Sequence, residues 1–78
     1  MHEVVLYSSP GCHLCEQAAD ALRSLQRGRL FTWSEVDIHS DPELEKRYLL
    51  EIPVIEVDGV VVTQAPIEIN KVRFALEA

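Results

Sequence analysis

The chain has 78 residues, 47% of them hydrophobic, and its 13 acidic against 7 basic side chains give a formal net charge of -6. That length holds one domain with a packed core, and an acidic balance without a lysine or arginine cluster argues against a nucleic-acid partner. No apolar run approaches the roughly 20 residues of a membrane span, and the start "MHEVVLY" with only two cysteines fits neither a signal peptide nor a secreted disulfide scaffold, so the cytoplasm is the expected compartment.

Glu3 to Tyr7 reads as a short strand whose near-continuous apolar character suggests burial on both faces. After a Pro10-Gly11 turn, a helix of about fifteen residues places Cys15, Ala18, Ala19, Leu22 and Leu25 on one face and stops at Gly28. Arg23, Arg27 and Arg29 near its end suit the helix dipole better than a phosphate. Leu30 to Ile38 interleaves Phe31, Trp33, Val36 and Ile38 with polar residues, a second strand in which Trp33 reads as a core or sheet-face aromatic.

Ser40-Asp41-Pro42-Glu43 spells a helix start with a capping serine or aspartate, and the short helix runs to about Leu50 with Leu44, Tyr48 and Leu49 inward. Pro53 to Val57 and Val60 to Thr63 flank Asp58-Gly59, the signature of a two-residue hairpin turn. Pro66 to Leu76 supplies a last helix, with Pro66 near its first turn and Ile69, Val72 and Leu76 on one face. The order β-α-β-α-β-β-α predicts an α/β domain: a four-stranded mixed sheet, its first two strands parallel and its last two an antiparallel hairpin, flanked by three helices.

Both cysteines fall in "PGCHLC", residues 10 to 15, where a strand gives way to a helix. A sulfur at Cys12 would sit near the unpaired N–H groups of the helix start, which favour a thiolate and lower a free-cysteine pKa of about 8.5. Cys12 is then the nucleophile, and Cys15, close to one turn on, can attack a mixed disulfide formed at Cys12. His13 follows Cys12 directly and is either a cation that favours the thiolate or a solvated histidine at the helix start.

A structural zinc site needs four ligands, and beyond the cysteines the chain offers only His2, His13 and His39, so no metal is expected. Haem attachment would need histidine where Glu16 stands. Two inert buried cysteines are the remaining competing reading.

The combination of a first strand, "LYSSPGCHLCEQA" and, about forty residues on, "EIPVIEVDG" resembles the thioredoxin superfamily, and within it the small glutaredoxin-like proteins, over nearly the whole chain. The resemblance implies the thioredoxin-like fold, a redox disulfide between Cys12 and Cys15, and a cis Ile52-Pro53 bond beside it. Ile52 and Pro53, with Pro10, Gly11 and His13, would form the substrate platform. Where glutaredoxins typically carry Pro-Tyr between the cysteines and a basic residue before them, this chain has His13-Leu14 and Ser8-Ser9-Pro10-Gly11. The family's Gly-Gly and aspartate after the last strand are replaced by "VVVTQAPIEIN".

The expected activity is that of a thiol-disulfide oxidoreductase acting as a monomer. Its partners would be a disulfide-bearing protein or a low-molecular-weight thiol and a thiol reductant system, with glutathione as a co-substrate and no bound cofactor. The alternative is a non-catalytic adaptor of the same fold, or a module sharing a metal or iron-sulfur cluster through Cys12.

Overall fold

In the computed structural model, which describes residues 1–77, seven elements follow the expected order. They are β1 (His2–Ser8), α1 (His13–Gln26), β2 (Phe31–Asp37), α2 (Pro42–Tyr48), β3 (Val54–Val57), β4 (Val60–Gln64) and α3 (Ile69–Leu76), with a 3-10 turn at Ile38–Ser40 before α2. The sheet order is β2-β1-β3-β4. β1 and β2 are parallel, whereas β1 with β3 and β3 with β4 are antiparallel. Asp58 at φ 52° and Gly59 at φ 84° make the hairpin turn between β3 and β4, both in the left-handed region that such two-residue turns require.

Strand alternation divides the core. Val4 and Leu6 of β1 and Ile55 and Val57 of β3 point to the face covered by α1 and α3, where they meet Ala18, Ala19, Leu22, Leu25 and Val72. Tyr7 and Val54 point the other way and pack with Ile38, Leu44, Tyr48 and Ile52. Val5 and Tyr7 are only half-buried, so β1 is fully covered on one face alone. The cause is the length of α2, whose seven residues roof only part of that face. Trp33 packs against the larger cluster as a sheet-face aromatic, with the Arg23 guanidinium 5.5 Å from its ring centre.

One open choice is decided and two local expectations are corrected. Asp41, not Ser40, caps α2: its carboxylate accepts from the Glu43 N–H, while the Ser40 hydroxyl donates to the Asp37 carbonyl. Leu49 is half exposed, because Tyr48 takes the inward position against the Tyr7 ring and the next residue points away. Pro66 lies outside α3 in a second cis peptide bond, and the helix begins only at Ile69, where the Thr63 hydroxyl accepts from the Glu68 N–H.

This topology sets up one end of the sheet. β1 ends beside the start of β3, with Tyr7 opposite Val54, and beside the end of β2, with Ser8 opposite Asp37. The loop leaving β1, the loop entering β3 and the end of β2 therefore meet at one place.

Candidate redox site

Cys12 is the N-cap of α1, in extended backbone conformation at φ -90° and ψ 104°. The turn before it is closed by the Cys12 N–H donating to the Ser9 carbonyl at 3.3 Å, and Gly11 at φ +75° supplies the left-handed step that a side chain would strain. The Cys12 sulfur accepts from the Cys15 N–H at 3.1 Å, as an N-cap oxygen would, and thus satisfies one of the orphan donors at the helix start. The same sulfur is joined to Cys15 in a disulfide.

The two thiols differ in access. Cys12 is partly exposed, while Cys15 faces the core at 2% exposure. An incoming sulfur can reach Cys12, and only the neighbouring sulfur reaches Cys15. Among the two readings of His13, the geometry gives the solvated one: its side chain is 81% exposed and its Nδ1 lies 3.6 Å from a Glu16 carboxylate oxygen. Pro10 is exposed at the apex of the turn.

Pro53, just before β3, is fully buried after a cis Ile52–Pro53 bond. Ile52 is half-buried, and its N–H donates to the Tyr48 carbonyl at 3.1 Å, so that donor is not offered to an incoming strand. Pro53 forms one wall of an apolar groove of about 290 Å³ whose other walls are Leu14, Ala18 and Ala21 of α1 and Pro66 and Ile67 before α3.

The disulfide itself lines a second cavity of about 370 Å³, whose walls are Ser8 to Cys12, Cys15, Glu16, Glu35 and Asp37. The Ser8 hydroxyl donates to Glu35 at 2.7 Å, and Asp37 accepts from the His39 N–H at 2.9 Å. Ser9 Oγ is 2.9 Å from His39 Nε2, and His39 Nδ1 is bonded in turn to Glu45. The sequence does not single out Glu35, Asp37 or Glu45, marks Ser8 and Ser9 only as standing where glutaredoxins carry a basic residue, and offers His39 only as a metal ligand. The available signal was the parallel pairing of β1 with β2, which sets the residues ending both strands side by side. Among the described residues, no group of three or more histidine, cysteine or carboxylate side chains is arranged to hold a metal ion.

A scan against family models matches residues 3–77 to the glutaredoxin-like domain (DUF836). The chain belongs to this family. Protein XcR50 from X. campestris shares 33% identity over 95% of both chains, with a TM-score of 0.72. Protein Ne2328 from Nitrosomonas europaea is 25% identical over 96% of this chain and 91% of its own, with a TM-score of 0.86. Oxidized mitochondrial thioredoxin 3 from Saccharomyces cerevisiae, 15% identical over 97% of this chain and 76% of its own, superposes with a TM-score of 0.69 and establishes the thioredoxin-like fold. The search of curated proteins gives no match. A glutaredoxin-like domain carrying the Cys12–Cys15 pair supports a function of redox type.

Proposed function

We propose that this glutaredoxin-like protein is a thiol-disulfide oxidoreductase in which Cys12 attacks and Cys15 resolves. The supporting observation is the asymmetry of the pair: an accessible sulfur at a helix N-cap, joined to a buried sulfur one turn further on. In the reduced protein, the Cys12 thiolate attacks one sulfur of a substrate disulfide, forms a mixed disulfide, and expels the other sulfur as a thiolate that takes up a proton from water. The Cys15 thiolate then attacks the Cys12 sulfur, releases the second substrate thiol, and leaves the Cys12–Cys15 disulfide. Two electrons pass from the dithiol to the substrate, and an external dithiol or glutathione-type reductant restores the starting state.

Pro53 and the apolar groove beside it form the platform on which a polypeptide flanking the attacked disulfide lies, with Leu14 at its edge. Burial of Cys15 keeps it from competing for substrate and reserves it for the mixed disulfide. The test is the Cys15→Ser variant, expressed in cells and isolated under acid quench. A mixed disulfide carried by Cys12 is expected, absent in the Cys12→Ser, Cys15→Ser double variant; failure to trap any partner or small thiol would refute exchange.

A further inference from the structure

The cavity on the α1 and β2 side of the disulfide carries three carboxylates, and its walls include no lysine or arginine. Glu16 projects from the first turn of α1, Glu35 and Asp37 from the end of β2. The nearest cationic candidate on α1 is His13, 3.6 Å from Glu16 and almost wholly in solvent. The groove along Pro53, which reaches the cysteine motif at Leu14, is lined by apolar residues and Gln17 and supplies no compensating charge. A substrate disulfide approaching Cys12 therefore meets three carboxylates in this cavity, with the Glu45-paired His39 at its rim beside Ser9, and no charged side chain along the Pro53 groove.

We propose that Glu16, Glu35 and Asp37 set the charge selectivity of the exchange at Cys12, favouring disulfides flanked by cationic groups, such as lysine or arginine beside a protein cysteine, and disfavouring anionic ones. This inference rests on the exchange reading above and adds the substrate class to it. The carboxylates act by position: they touch neither reacting sulfur, but the leaving and attacking groups must come within a Debye length of them. A charge-lined cleft raises the local concentration of ions of opposite sign and their encounter rate by tenfold or more. The same field repels a ligand such as glutathione disulfide, whose carboxylates outnumber its ammonium groups.

The test uses the prereduced whole chain in single turnovers against three small disulfides of similar size: cystamine (cationic), bis(2-hydroxyethyl) disulfide (neutral) and 3,3'-dithiodipropionate (anionic). Each rate is divided by that of the same disulfide with dithiothreitol, which removes differences between leaving groups. At low ionic strength the normalised rate for cystamine is expected to exceed that for dithiodipropionate by about tenfold or more. The ratio should fall towards one at 1 M salt, where the Debye length shrinks to about 3 Å.

The triple variant Glu16→Gln, Glu35→Gln, Asp37→Asn keeps the shape of the cavity and the acceptor for the Ser8 hydroxyl. It should lose most of the ratio; any change in the Cys12 thiolate fraction acts on all three disulfides alike and cancels in the ratio. A control variant with the same change in net charge, Glu43→Gln, Glu68→Gln, Glu77→Gln, outside the cavity, should retain it. Equal normalised rates in the unmodified protein, or equal loss of the ratio in both variants, would overturn the proposal. Absence of reaction with the neutral disulfide would instead sink the exchange reading itself, so the two failures are distinguishable.

Discussion

The hydrogen bond from the Cys15 N–H to the Cys12 sulfur can be removed without touching the sulfur, and this isolates the main local source of thiolate stabilisation. Cys15 is the third residue of α1, and its N–H has no carbonyl partner within the helix, so proline there deletes a donor without breaking the helical ladder. Alanine at the same position keeps the donor and serves as the reference. A hydrogen bond to a charged acceptor is worth about 1.5 to 3 kcal/mol, and one pKa unit corresponds to about 1.4 kcal/mol. The Cys12 pKa should therefore differ by about one to two units between Cys15→Pro and Cys15→Ala. The helix dipole, worth about 0.3 to 1 kcal/mol, persists in both. The assay is the rate of alkylation by iodoacetamide as a function of pH, with far-UV circular dichroism to show that both variants keep their helix content. Coincident titrations near 8.5 would refute activation of Cys12 by this N-cap.

Two further predictions concern the scaffold. Tyr7 and Tyr48 both donate to the Glu56 carboxylate, at 3.0 and 3.5 Å, and the Tyr7 phenol is pushed up to about 12, first by burial and then by Glu56. A raised folded-state value means that the native state holds the proton longer than the unfolded chain. Stability is thus fully present below pH 10 and lost as pH rises towards 12, which urea melts alongside tyrosinate absorbance would follow; a Tyr7→Phe variant should lose less over that interval. At the acid end, the Asp58 carboxyl lies below its ordinary range because it accepts from the Glu3 N–H and, second, pairs with His2. Its contribution is present above the unfolded value of 3.8 and lost as pH falls through the lower folded value. Asp58→Asn retains a residue that tolerates the left-handed turn, so its urea midpoint should trail the parent's at pH 6 and converge with it near pH 2; a constant gap would refute the ionic origin.

Much of the fold was legible because its elements obey local rules. The spacing of Cys15, Ala18, Ala19, Leu22 and Leu25 marks the buried face of α1, and those five are the buried residues of that helix. Asp58-Gly59 demands the turn it makes. The errors fell where tertiary contacts decide. Pro66 satisfies the composition rule for a first helical turn, yet the chain uses it to carry the backbone over the Pro53 groove and delays α3 to Ile69. Leu49 matched an apolar position, but Tyr48 occupies the single inward place that the short α2 offers against Tyr7.

The site divides in the same way. The cysteines, Gly11 and Pro53 declare themselves through residue types with few other uses at those places, and their proximity follows once β1 and β3 are paired. The carboxylate wall does not declare itself. Glu35 and Asp37 read as ordinary solvent-facing positions of a strand, and Glu16 as an acidic residue at a helix start. Each gains meaning only from register: with Ser8 opposite Asp37 in the parallel pair, the end of β2 comes level with the exit of β1, two residues before the turn that leads to Cys12. A shift of one residue would exchange the faces and carry these carboxylates away from the sulfur. What surrounds a reactive thiol is thus written in strand pairing rather than in the motif that contains it. For this chain that pairing supplies negative charge at the flank where an anionic thiol such as glutathione would require a cation.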